Sequence, residues 1–192
     1  DGFLDKHDDC PNDAGTSNNG RLFGCPDADG DGYADSIDTF PSTPSQWADT
    51  DEDGYGDSPT GLNGDQCPGV YGTSTEDRFG CTDSDGDGWS NPSSLWSIDS
   101  GADAFEQDAS QHADADGDGF GDAADGFEAD ACPAQAGASF QDRFGCADDD
   151  GDGWSNDVDA FPNDPTQYLD TDNDGFGDAF DGNQPDSCPQ IP

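Results

Sequence analysis

The chain has 192 residues and a formal net charge of −42, with 46 acids set against only Lys6, Arg21, Arg78 and Arg143. With 29% hydrophobic residues, 27 Gly and 13 Pro, it cannot build an ordinary apolar core; either it is disordered, or metal and disulfides order it. The charge excludes nucleic acid as a partner, and no apolar run in this segment is long enough to span a membrane.

All but four of the acids are aspartate, and the aspartates are regularly spaced. The chain opens on Asp1-Gly2-Phe3-Leu4-Asp5, which reads as positions 5 to 9 of a calcium loop already under way, with Asp1, Asp5 and Asp8 as ligands. Residue 1 is therefore not expected to be the start of the gene product. Cys10-Pro11 follows, and a polar hairpin leads to Phe23-Gly24-Cys25.

The first complete loop carries Asp27, Asp29, Asp31, Asp35 and Asp38 at positions 1, 3, 5, 9 and 12, with Gly32 at position 6. This is the ligand spacing of a calcium loop of the EF-hand kind. Ca²⁺ is a hard cation that takes about six to eight oxygens, and alternate residues of a curled loop can aim carboxylates inward. The backbone carbonyl of Tyr33, at position 7, is a further expected ligand. A linker containing Phe40-Pro41 and Gln46-Trp47 leads to a second loop, with Asp49, Asp51, Asp53, Tyr55 and Asp57 as ligands and Thr60 at position 12. Cys67-Pro68 and a second hairpin end at Phe79-Gly80-Cys81.

The block then repeats. The third loop offers Asp83, Asp85, Asp87, Trp89 and Asn91, but Ser94 stands at position 12, where nine extra residues lie within Pro92 to Gly101. Asp99 or Asp103 is expected to supply the missing ligand. Leu95 and Trp96 of the insertion are expected to pack locally, the alternative being a contact patch. After Phe105 and Gln111-His112, the fourth loop presents Asp114, Asp116, Asp118, Phe120, Asp122 and Asp125. The hairpin from Cys132 to Cys146 precedes the fifth loop, with Asp148, Asp150, Asp152, Trp154, Asn156 and Asp159. The linker with Phe161-Pro162 and Gln167-Tyr168 leads to the sixth, with Asp170, Asp172, Asp174, Phe176, Asp178 and Asp181, and then to Cys188-Pro189. The blocks are a partial repeat over 1–25, then 26–81, 82–146 with the insertion near 92–101, and a truncated 147–192.

Seven cysteines leave one over. The repeat pairs Cys10 with Cys25, Cys67 with Cys81 and Cys132 with Cys146, each closing a segment of similar size. Cys188 is read as the Cys-Pro member of a fourth pair whose partner lies past Pro192, the alternative being an interchain bond. Disulfides imply an oxidising compartment. Zinc is not indicated: there is no Cys-x-x-Cys, and His7 and His112 stand in no ligand pattern. Residues with helical or strand periodicity are lacking, and Gly or Pro occurs every few positions, so turns and short bridges are expected.

Position 7 is aromatic in every loop, from Phe3 to Phe176, which suggests small ring clusters between metal-wrapped turns; carbohydrate stacking by Trp89 and Trp154 is the alternative. Arg78 and Arg143 are expected to pair with the acidic loops. Position 12 holds Asp where an EF-hand has Glu, and flanking helices are absent, so the loops are static supports rather than sensors that open a groove.

Asp-x-Asp-x-Asp-Gly-x-x-Asp-x-x-Asp followed by Cys-Pro resembles the thrombospondin type 3 calcium-binding repeats. The match is closest at Asp1-Gly-Phe-Leu-Asp5-Lys-His-Asp8-Asp9-Cys10-Pro11 and recurs along the chain. The Phe-Pro linkers, the long hairpins and the insertion depart from the simple family repeat. The resemblance implies an extracellular, calcium-wrapped rod tied by disulfides and without enzymatic activity; long arrays of this kind also look like microbial surface proteins. The expected fold is thus a small irregular repeat protein, an elongated, disulfide-tied array with little regular helix or strand, holding at least one Ca²⁺ per loop. The expected role is a secreted or cell-surface spacer, stalk or fibre segment, partnered by flanking repeats of a longer chain or by neighbouring subunits. A calcium-dependent adhesion or glycan- or protein-binding module is the alternative. A soluble calcium buffer or mineral-binding protein is a third reading. No nucleophile–base constellation marks an enzyme.

Overall fold

The dihedral demands of the Asp-rich loops leave no room for helix or sheet. In the computed structural model, which describes residue 4 and residues 6–192, Gly32 at position 6 has φ 100° and Gly30 at position 4 has φ 80°. The same two places are left-handed in every loop, even where position 4 is Glu52 (φ 63°) or Asn173 (φ 60°). Two such residues in every twelve break any regular run. Among the described residues the only regular element is a single 3-10 turn, Ile98–Ser100. Three isolated bridges accompany it: Gly56 with Gly64, Asp130 with Phe144, and Gly177 with Pro185. The near absence of regular structure was legible in the spacing of Gly and Pro.

The chain forms two compact units, Asp1–Leu95 and Trp96–Pro192; their boundary falls inside the insertion. The first unit holds the Cys10–Cys25 and Cys67–Cys81 hairpins and the loops at Asp27, Asp49 and Asp83. The second holds the Cys132–Cys146 hairpin and the loops at Asp114, Asp148 and Asp170. All three disulfides form as the repeat pairs them, and Cys188 is an exposed free thiol.

Polar side chains fill the interior of both units. The largest fully buried residues are Gln46, Gln111 and Gln167, followed by Asp65 and Asp103. Gln46 shows why a glutamine can serve as core. Its Nε2 donates to the carbonyls of Ser58 (2.9 Å) and Leu62 (3.3 Å), and its Oε1 accepts the Ser58 N–H (3.0 Å). Three backbone groups of an otherwise unsupported turn are satisfied by one side chain. Gln111 does the same for Ala123 and Phe127, and Gln167 for Ala179 and Asn183. Glycines close over each amide: a Cβ on Gly56 would lie 2.2 Å from Gln46 Oε1.

The hairpins are held by buried serines. Ser74 Oγ accepts the Cys81 N–H (2.9 Å) and donates to the Arg78 carbonyl; Ser139 repeats this with Cys146 and Arg143. Gly72 and Gly137 press on the backbone of Cys81 and Cys146 so closely that a Cβ would come within 2.1 and 2.0 Å of it.

Four of the position-7 rings pair in the small clusters the sequence suggests, while Phe176 is 46% exposed. Tyr33 stacks on Trp47 (centroids 5.2 Å, planes 3° apart) and Trp154 on Tyr168 (4.5 Å, 4°). Tyr55 meets Phe79 and Phe120 meets Phe144 at a tilt. The insertion corrects one expectation: Leu95 does not pack locally but is 93% exposed, whereas Trp96 is half-buried.

Candidate metal centres

Each loop folds by spending carboxylate oxygens on its own backbone. In the first, Asp27 Oδ1 accepts the Gly30 N–H (2.8 Å) and Oδ2 the Gly32 N–H (3.1 Å). Asp29 Oδ1 accepts the Asp31 N–H (3.2 Å), and Asp31 Oδ1 the Tyr33 N–H (2.8 Å). Asp35 Oδ1 reaches back to the Ala28 N–H (2.8 Å), closing the ring. The loops at Asp83 and Asp148 repeat the pattern, with Asn91 and Asn156 in place of Asp35. Those at Asp49, Asp114 and Asp170 repeat its principal bonds.

These bonds draw the carboxylates of positions 1, 3 and 5 together. One oxygen from each of Asp27, Asp29 and Asp31 lies within 4.8 Å of the others, and the same holds for Asp49, Asp51 and Asp53; Asp83, Asp85 and Asp87; Asp114, Asp116 and Asp118; and Asp148, Asp150 and Asp152. Oxygens at about 2.3–2.6 Å from one calcium ion fall within that span. At position 3 the second oxygen is buried in all six loops and meets no donor of the chain: Asp29, Asp51, Asp85, Asp116, Asp150 and Asp172. A buried carboxylate oxygen without a partner costs more than a hydrogen bond returns. Six in register are a donor set shaped for a cation, and the all-oxygen chemistry suits a hard one.

Position 12 divides the loops into two types. In the loops at Asp27 and Asp148, the expected Asp38 and Asp159 are buried. Asp38 donates its N–H to the Ala34 carbonyl at position 8 (3.0 Å), and Asp159 to Ser155 (3.0 Å). Burial pushes both carboxyls above the ordinary carboxylate range; a bond from the N–H two residues on lowers them, and the loop aspartates raise them again. In the loops at Asp49, Asp114 and Asp170, the position-12 residues Thr60, Asp125 and Asp181 are instead exposed. Asp65, Asp130 and Asp186, which the loop template passes over, take the place of Asp38. Each lies five residues further on, and each donates its N–H to the position-8 carbonyl, Gly56, Gly121 or Gly177, at 2.8 Å. Burial and then the charges of Asp53, Asp51 and Asp57 drive the Asp65 carboxyl up to about 6, against the bond from Cys67 N–H. The signal was present in the sequence: Asp-x-Cys-Pro recurs as regularly as Asp-x-Phe in the linkers.

Asp103 is wholly buried, with Oδ1 accepting the Phe105 N–H (2.7 Å), whereas Asp99 is exposed. Asp8 accepts the Cys10 N–H (2.8 Å); the other expected ligands of that partial loop, Asp1 and Asp5, and the ring of Phe3 lie outside the described residues. Arg143 pairs with Asp157 (2.9 Å) and Asp142 (3.6 Å), and Arg78 donates to the Gln66 carbonyl (3.0 Å) and Cys67 Sγ.

No protein-family model matches this chain, and no curated protein matches it. The aspartate triplets and the disulfides therefore carry the functional argument. Among the described residues no helix is long and apolar enough to cross a membrane.

Proposed function

We propose that this chain is a calcium-ordered structural array of the thrombospondin type 3 kind, serving as a segment of an extracellular spacer, stalk or fibre. One observation carries the reading: in all six loops a buried position-3 carboxylate oxygen lacks any donor, at a place where the neighbouring carboxylates converge. Ca²⁺ fits such a set better than Mg²⁺, which demands a tighter octahedron and keeps several of its waters. The position-7 carbonyls of Tyr33, Tyr55, Trp89, Phe120, Trp154 and Phe176 would complete each cage. At a free concentration a hundredfold above Kd, each site would add about 2.7 kcal/mol of stability, which makes the ions collectively the substitute for an apolar core.

Three disulfides support an oxidising, extracellular setting, where calcium is abundant. Repeats that contact mainly their neighbours build linear objects, so flanking repeats or neighbouring subunits are the natural partners. The role requires no catalysis. Small-angle scattering of the chain in millimolar Ca²⁺ and in EGTA tests this: the maximum dimension should be long and fixed with calcium and should change on chelation. A compact particle indifferent to EGTA would refute it. The 93% exposure of Leu95, beside Trp96 in the insertion, favours a second reading, calcium-dependent adhesion; a glycan array or pull-down showing tight, specific capture that is lost in Leu95→Ser would support it.

A further inference from the structure

We propose that Asp65, Asp130 and Asp186, rather than the residues at position 12, close the metal sites of the second-type loops, so that in the Asp49 and Asp114 sites one ion joins the loop to the disulfide hairpin that follows. The inference rests on the calcium reading above and names ligands that the twelve-residue template misses.

The three residues hold one conformation. Oδ1 accepts the N–H two residues on: Cys67 at 2.6 Å, Cys132 at 2.7 Å and Cys188 at 2.6 Å. This is the bond that Asp38 makes to Phe40 and Asp159 to Phe161, each at 2.7 Å. With the backbone bond to position 8 described above, side chain and main chain are pinned as in a first-type loop. The five extra residues, folded around the buried glutamine, change only the count. Oδ2 is left buried and meets no donor in all three. Asp65 is 0% exposed and Asp130 6%, so these carboxylates are shut off from bulk water. The charges acting on Asp130 are those of Asp118, Asp116 and Asp122, which are positions 5, 3 and 9 of its own loop. Asp186 likewise stands among the charges acting on Asp172.

The hairpin enters from the other side. The Gly72 N–H donates to Asp53 Oδ2 (3.1 Å) and the Gly137 N–H to Asp118 Oδ2 (2.8 Å), so a residue inside each disulfide ring aims the position-5 carboxylate. The glycine of Phe-Gly-Cys seats the closing one: a Cβ on Gly80 would lie 2.4 Å from Asp65 Oδ1, and one on Gly145 2.1 Å from Asp130 Oδ1. In the Asp49 and Asp114 sites, then, two of the carboxylates are positioned by the disulfide-closed segment.

The test counts calcium by equilibrium dialysis with elemental analysis, and measures affinities by calorimetry, on the full chain and on Asp130→Asn and Asp125→Asn. Asparagine keeps an oxygen for the Cys132 N–H, and an unchanged count of one reactive thiol confirms that the Cys132–Cys146 bond has formed. Asp130→Asn should lose one ion, or weaken one site at least tenfold, while Asp125→Asn should match the parent. Retention of every site by Asp130→Asn, or loss of a site in Asp125→Asn, overturns the assignment while the calcium reading stands. A parent chain that binds no calcium overturns both.

Discussion

Replacing Gln111 by Leu tests whether a polar side chain truly does the work of a core. The substitution keeps approximate volume but removes the amide that serves three backbone groups: the Ala123 N–H at 2.8 Å and the Ala123 and Phe127 carbonyls, both at 3.2 Å. Each such bond is worth about 1 kcal/mol net, and an N–H left buried and unpaired costs about 1–3 kcal/mol. The expected loss is therefore about 2–4 kcal/mol. The turn it supports leads directly to Asp130, so part of the loss should appear as weaker metal binding. If all of it did, affinity at the Asp114 site would fall roughly thirtyfold to several hundredfold. Urea unfolding in saturating calcium and calorimetric titration measure the two components. A variant with both its midpoint and its affinities unchanged would show that the buried glutamines are passengers and would refute the reasoning.

Other outcomes follow from single positions. Glu52 sits at φ 63° where four of the six loops have glycine, so Glu52→Gly should raise stability by about 0.5–1 kcal/mol, read as a higher urea midpoint at fixed calcium. Gly137→Ala places a methyl 2.0 Å from the Cys146 backbone; overpacking of this kind costs at least 1–3 kcal/mol, visible as a lower thermal midpoint or failed disulfide closure. The Asp65 carboxyl, raised from 3.8 to about 6 in the metal-free fold, gives a signed pH dependence. Asp65 binds more proton in the folded than in the unfolded chain between those values, so its contribution to metal-free stability is fully present below 3.8 and is lost as pH rises through about 6. Calcium must displace that proton, and affinity at the Asp49 site should fall as pH drops below 6, with proton release detectable in buffers of different ionisation enthalpy.

The sequence made the aspartate loops legible because their chemistry is local: Asp at 1, 3 and 5 and Gly at 6 fold against their own backbone within a dozen residues. The disulfide pairing was readable for the same reason, each ring closing over 14 or 15 residues. What stayed hidden depends on a turn of variable length. Asp65, Asp130 and Asp186 reach their loops only after an eight-residue detour, and counting to twelve arrives at Thr60, Asp125 and Asp181 instead. Gln46, Gln111 and Gln167 were visible as repeating letters, but no periodicity marks a glutamine that fills the middle of a turn. Leu95 failed in the opposite sense. An apolar residue was expected to pack, and it stands 93% exposed.

The central claim is that bound calcium, gripped by buried carboxylates, takes the place of an apolar interior. Near-ultraviolet circular dichroism of the intact, disulfide-bonded chain, followed through a calcium titration with the bound ions counted in parallel, tests it most directly. The account predicts at least six ions per chain and aromatic signals from the Tyr33–Trp47 and Trp154–Tyr168 stacks that collapse when EGTA removes them. Undiminished aromatic signals in a chain stripped of calcium would contradict it.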